Sequence, residues 1–342
     1  MKAALFDATT LHVSIGEVPV PQPGPDDLLI RVCRCGICGS DVAMTSDGPF
    51  PMASGQFGHE YAGEVVEVGC GVTSHKPGDR IAAVPAAPCG MCRDCLSGSV
   101  FLCTSPRWAN AGFSEYTLVP AKAAIRLPAT ISMAQAALIE PMATGLHAMR
   151  LAGLGAGARV LVIGAGSQAL SAIYWARRLG AGRIVVLSRS VHRRDLAFAM
   201  GTHSVMGFDA DNQVRLREAL GGMPDIVVEC VGKPGFIGLA IEHVRPGGTV
   251  LAMGMCMQPE MLLPAQCTFK EVRMLFPLGY TLDEFVETAR AFDNGTIPAD
   301  AMIGDVIALD DLPARIDAIR TGGGMLKVQV DPTFGSGIAD IG

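Results

Sequence analysis

No block of Lys and Arg stands anywhere in the 342-residue chain, and 27 basic side chains face 33 acidic ones, giving a formal net charge of −6. The broad positive footprint of a nucleic-acid binder is therefore missing, and DNA and RNA are excluded as expected partners. A continuous apolar leader is missing too. The opening MKAALFDATTLHVSIGE is interrupted by an acid and a Thr pair, so secretion is not expected and a cytoplasmic location is. Residues 160–176 come nearest to a membrane span, but two Gly and a Ser-Gln pair break them and Arg177 and Arg178 follow, so no membrane partner is expected. There is no internal repeat and no low-complexity segment. The 41 Gly and 22 Pro are scattered among 49% hydrophobic residues, which excludes a disordered or collagen-like chain. What remains is an ordinary folded protein with length for about two domains. Its 11 Cys read as thiols or metal ligands, since cytosolic reductants oppose a disulfide framework.

Two patterns divide the sequence. Up to about residue 132 no helical period dominates. The runs Lys2–Phe6, Leu28–Cys33, Tyr61–Val68 and Arg80–Val84 read as strands, separated by turn signals such as Pro21-Gln-Pro-Gly-Pro25 and Lys76-Pro-Gly-Asp79. This predicts an antiparallel β unit. From about residue 143, Arg159–Ile163, Gly182–Leu187, Asp225–Glu229 and Thr249–Met253 alternate with helix-length segments, the pattern of a βαβ domain with a parallel sheet. Beyond about 296 the pattern turns irregular, and Met325–Val330 reads as one more strand, returning to the first domain.

The run Arg159–Ile163 enters Gly164-Ala-Gly166-Ser167-Gln168-Ala169 and then a segment with Ala169, Ala172, Ile173 and Ala176 along one face. Strand, glycine turn and helix in this order predict a dinucleotide site, with Gly164, Gly166, Ser167 and Gln168 at the pyrophosphate. An NAD site would usually carry an acid at the end of the next strand. Here Ser188 and Arg189 stand there, with Arg193 or Arg194 a helical turn later. These side chains donate to a 2′-phosphate and favour NADP, with NAD as the alternative through Ser188 alone.

Cys89, Cys92, Cys95 and Cys103 form a C-x₂-C-x₂-C-x₇-C run suited to a closed, tetrahedral, structural Zn²⁺ site. An iron–sulfur cluster also takes four Cys, though the last spacing departs from the common ferredoxin run. A second, dispersed set offers a thiol at Cys38, an imidazole at His59, a carboxylate at Glu60 and another at Glu140. With one water these would make an open zinc site of the catalytic kind, although a single Cys and a single His are more often structural.

Taken together, Cys35-Gly-Ile-Cys38-Gly-Ser-Asp41, Gly58-His-Glu-Tyr-Ala-Gly63, Gly78-Asp-Arg-Ile81, the four-Cys loop, Ile139-Glu-Pro141, the Gly164 turn and Lys327 resemble the zinc-dependent medium-chain dehydrogenase/reductase family, in its sorbitol- and threonine-dehydrogenase-like branch. The resemblance spans nearly the whole chain. It implies an α/β protein: a GroES-like antiparallel β domain over 1–142, completed by 296–342, and a doubly wound Rossmann domain with a parallel sheet over 143–295. It places the active site in the cleft between them. It makes Cys38 and His59 the constant ligands of a catalytic zinc and Glu60 the third, with Glu140 binding directly or through water. Ser40 becomes the hydroxyl that receives the substrate proton. The implied reaction is hydride transfer between an alcohol and a nicotinamide, with zinc as Lewis acid. One departure is Ala43, at the position where related branches carry a relay histidine, so proton release must pass through water, the ribose or Glu140, or reduction is the favoured direction.

The resulting expectation is an NADP(H)-preferring alcohol or polyol dehydrogenase or ketone reductase with one catalytic and one structural zinc, a homodimer or homotetramer acting on a small alcohol or ketone. Two alternatives are the same chemistry with NAD and a nucleotide-binding protein of this fold without turnover. The substrate pocket is expected near Thr45–Phe57, Trp108–Phe113 and Phe276–Tyr280, made partly apolar by Trp108, Phe113 and Phe276. Cys33, Cys35, Cys230, Cys256 and Cys267 are read as small buried hydrophobes.

Overall fold

The computed structural model describes residues 1–208, 212–322 and 326–334. The chain divides into two compact units, one made of Met1–Glu140 with the chain from Thr281 onward, the other of Pro141–Tyr280.

In the first unit the strand Asp27–Gly36 is the organising element. Its residues Leu28, Ile30 and Val32 are fully buried, and it pairs antiparallel with Glu60–Val68, Tyr116–Pro120 and Lys327–Asp331. Among the described residues seven strands make this sheet: Arg80–Ala83 and Ala124–Arg126 extend it beyond Glu60–Val68, and Ile303–Ala308 lies beyond Lys327–Asp331. That last pairing is parallel, and the helix Leu312–Arg320 provides the crossover a parallel pair requires. Lys2–Asp7, His12–Glu17 and Gly55–Gln56 form a smaller sheet. The expected strand at 325–330 is Lys327–Asp331, and Met325 lies outside the described residues. The return to this unit comes at Thr281, ahead of the expected 296. The helix Leu282–Asp293 packs here against Met133–Ala136, its entry fixed by a capping box between Thr281 and Glu284.

Among the described residues of the second unit six parallel strands run in the order Ser204–Met206, Arg183–Leu187, Arg159–Ile163, Ile226–Glu229, Thr249–Ala252, Arg273–Leu275. Helices cover strands that are apolar on both faces, the reason they read as continuous runs of Val, Ile and Leu. Leu161, Ile163, Val185, Val227 and Val250 meet Leu216, Ile241 and Val244 in this core. Strand order reverses beside Arg159–Ile163, where a doubly wound sheet opens its ligand crevice. The apolar stretch 160–176 divides into that strand, the glycine turn and the helix Ser167–Arg178. No helix of the described residues is long and apolar enough to cross a membrane.

Candidate active site and metal centres

In the first unit, Cys38 sits at the N-cap of the short helix Gly39–Met44, directly after the central strand ends at Gly36. Asp41, fully buried, folds back so that its Oδ2 accepts from the Cys38 backbone N–H at 2.9 Å. Its other oxygen lies 3.1 Å from His59 Nδ1. Burial disfavours a cationic ring, but the Asp41 carboxylate more than offsets this and raises the pKa of His59 well above the ordinary value. Asp41 thereby fixes the ring with Nε2 turned toward the remaining donors, as a carboxylate behind a metal-binding histidine does. Ser40 Oγ stands 3.5 Å from that Nε2.

Donor atoms of Cys38, His59 and Glu60 lie within 4.8 Å of one another. Glu60 is fully buried at the start of its strand. Its Oε1 accepts from Lys327 Nζ at 2.7 Å, and its Oε2 has no hydrogen-bond partner among the described residues. A carboxylate oxygen buried without a donor is costly unless a cation meets it. Thiol, imidazole and carboxylate converging on one point fit Zn²⁺. Glu140, the second residue of the helix Ile139–Leu151, is buried and lies outside that three-residue group.

The second cluster is in the same unit. Cys89, Cys92, Cys95 and Cys103 bring their sulfurs within 4.8 Å of one another, with Cys92 to Cys95 at 3.4 Å and Cys89 to Cys95 at 3.8 Å. These are free thiols, and a tetrahedron with Zn–S bonds of about 2.3 Å has S–S edges of about 3.8 Å. The backbone N–H of Cys95 pulls the Cys92 thiol down to about 6, whereas burial pushes Cys95 up to about 12. Four thiols crowded in this way fit a closed zinc site that neutralises their thiolates.

In the second unit, Gly164 has φ +116, a left-handed backbone that a side chain would strain. It turns the chain from Arg159–Ile163 into the helix Ser167–Arg178, whose N-cap is Gly166 and whose first residues are Ser167 and Gln168. Gln168 Oε1 is held 2.7 Å from Thr144 Oγ1. Ser188 is buried just past Leu187 and accepts from Ser190 N at 3.0 Å, leaving its hydroxyl proton free to donate. Arg189 is exposed. Arg193 reaches back to the glycine turn, where its Nη1 donates to Ala165 O at 3.1 Å.

The description "Alcohol dehydrogenase GroES-like domain" matches residues 24–129, and "Zinc-binding dehydrogenase" matches residues 169–294. Sorbitol dehydrogenase of Gallus gallus is 35% identical over 261 residues, 71% of this chain and 72% of its own length. The chain belongs to the zinc-dependent medium-chain dehydrogenases. L-Threonine 3-dehydrogenase of Rhizobium etli is 28% identical to this dehydrogenase over 335 residues, 94% of this chain and 96% of the relative. A Sinorhizobium meliloti 1021 protein described as a zinc-binding dehydrogenase, solved with NADP bound, has 33% identity and a TM-score of 0.85 over 97% of this chain and 99% of its own. The expected GroES-like and Rossmann folds are both present.

Two side chains of the dehydrogenase escape the sequence reading. Asp41 enters it only within a motif, although its position three residues after Cys38 is capping-box spacing. Lys327 likewise carries no role there. Among the expected pocket residues, Phe113 is fully buried and packs edge-on against Phe57 at 5.1 Å, so it belongs to the core. Trp108 is exposed in the first unit. Phe276 in the second unit lines a cavity of about 380 Å³ with Met253, Met255, Cys256 and Glu260, so Cys256 faces open space rather than core.

Proposed function

We propose that this chain is an NADP(H)-preferring alcohol or polyol dehydrogenase, or ketone reductase, with one catalytic and one structural zinc. The observation that carries the reading is the convergence of donor atoms of Cys38, His59 and Glu60 beside the Ser40 hydroxyl, with one buried oxygen of Glu60 lacking a hydrogen-bond partner among the described residues. Cys38, His59 and Glu60 would hold the catalytic metal, with Glu140 as a further ligand or the partner of its water. Cys89, Cys92, Cys95 and Cys103 would hold the structural one. When bound, zinc supplies Lewis-acid polarisation of the alcohol or carbonyl oxygen. The nicotinamide supplies the hydride acceptor or donor.

The chain's own groups handle the proton. Ser40 takes it from the substrate hydroxyl, and Asp41 keeps His59 oriented while it does so. Ala43 offers no titratable group, so from Ser40 the proton would continue through water or Glu140, and the ribose of a bound nucleotide would supply a further hydroxyl. Gly164, Gly166, Ser167 and Gln168 would hold the pyrophosphate of a bound nucleotide. The absence of an acid at Ser188 and the exposed guanidinium of Arg189 support the 2′-phosphate. Arg193 supports it less directly, since one of its nitrogens is committed to Ala165 O. NADP bound to the Sinorhizobium meliloti relative agrees with this reading.

Eleven cysteines, none joined to another, support a reducing, cytoplasmic location. Met261 and Phe269, exposed by 97% and 87% on the second unit, support a homodimer or homotetramer.

The deciding experiment is titration of zinc-replete protein with NADPH and NADH, then an alcohol and ketone panel with the tighter cofactor. A preference for NADPH of about tenfold, about 1.4 kcal/mol, supports the reading. Tighter NADH overturns the 2′-phosphate assignment, and no turnover on any alcohol or ketone favours the nucleotide-binding alternative.

A further inference from the structure

The mechanism leaves Lys327 unused, yet it is the most unusually placed cation of the first unit. Its side chain is 5% exposed and that of Glu60 is 0%. Nζ donates to Glu60 Oε1 at 2.7 Å and to Ile37 O at 3.0 Å. Cys38 and Glu140 act on the same ammonium.

The two partners are not on neighbouring strands. Glu60 pairs with Gly36, and Gly36 pairs on its other side with Gln329, two residues beyond Lys327 on the same strand and hence on the same face. The ion pair thus spans an intervening strand, a reach of roughly 9–10 Å between outer strands. It closes because the residue in between has no side chain. A Cβ on Gly36 would stand 2.2 Å from Glu60 Oε2 and 3.1 Å from Lys327 Cδ.

An ammonium fixed on one oxygen withdraws charge from the whole carboxylate. A second cation on the other oxygen is then held less tightly, by reduced donation and by repulsion between the cations. We propose that Lys327 is a positioning residue that divides Glu60 between two cations, its own ammonium on Oε1 and the catalytic metal on the Oε2 side, keeping Glu60 a readily released ligand. This rests on the reading of Cys38, His59 and Glu60 as the catalytic metal site. Gly36 is the gap that makes the division possible.

The test replaces the catalytic metal with cobalt while the four-Cys site keeps zinc. It follows the visible cobalt band and the rate of cobalt release to a chelator in the full-length protein. Because it removes the competing positive charge, Lys327→Met is expected to shift the band and slow release about tenfold, with Lys327→Arg restoring both. Lys327→Gln, which keeps a neutral donor, is expected in between and carries the test if the Met variant does not fold, as judged by circular dichroism and retained structural zinc. Release at the wild-type rate, or faster, in the folded Met or Gln variant overturns the proposal. Glu60→Gln separates the two levels: an unchanged cobalt band there means Glu60 is no ligand, and the underlying site reading fails instead.

Discussion

At the scale of single residues, the two cysteine sets separate by what surrounds them. Cys38 ends a strand that Leu28, Ile30 and Val32 already anchor. Cys38→Ser is therefore expected to abolish turnover with a melting temperature within a few degrees of wild type. Cys95 lies in a loop with few buried side chains, and Cys95→Ser is expected to cost several kcal/mol by releasing the metal that orders it. Calorimetry beside an activity assay checks both, and equal thermal loss would collapse the distinction. Ser188→Asp places a carboxylate where a 2′-phosphate would sit and is expected to shift preference toward NADH by at least about tenfold, read by fluorescence titration. Motifs with chemistry at fixed spacing, the four-Cys loop and the Gly164 turn, stood out in the sequence, whereas His59 and Glu60 gained their expected role only through the family resemblance. Residues acting through a partner distant in sequence were not legible. Lys327 lies 267 positions from Glu60, and only the strand order brings them together.

At the scale of elements, the second unit's sheet is tied at its N-terminal edge by Asp225. It accepts from Arg159 N at 2.9 Å and Arg245 Nε at 2.6 Å. Burial alone would raise its pKa, but hydrogen bonds from Arg159 and Arg245 prevail and hold it at about 2, below the ordinary 3.8. Because the folded value is the lower one, this stabilisation is complete above pH 3.8 and is lost as pH falls through about 2. Asp225→Asn is expected to cost about 1–2 kcal/mol at neutral pH and almost nothing near pH 2, measured by urea melts at both. Gly164→Val is expected to weaken binding of either nucleotide at least about tenfold, since it strains the turn and crowds the pyrophosphate; unchanged affinity would contradict the assignment of that turn. Long apolar strands were readable because they repeat a pattern. Ser204–Met206 and Arg273–Leu275, three residues each, are too short to show one, so only four of the six strands were evident. The helix Leu282–Asp293 has the same amphipathic pattern whichever unit it packs on, and that is why the expected return point fell too late.

At the scale of the whole molecule, two metal sites in one unit predict two zinc ions per chain by elemental analysis. Mild chelation is expected to remove one with loss of activity and an unchanged melting temperature, and removal of the second to lower it. A single zinc held by the four-Cys loop would return the protein to the nucleotide-binding alternative. The seven-stranded sheet also imposes an order on synthesis. The second unit's strands occupy one uninterrupted stretch of chain, from Arg159 to Leu275, and are available for pairing once that stretch has left the ribosome. Gly36, translated before the second unit, waits for Gln329, translated after it. Until then the nascent Glu60 has no Lys327 ammonium beside it, so the catalytic pocket reaches its final charge balance only once the strand Lys327–Asp331 has emerged and paired.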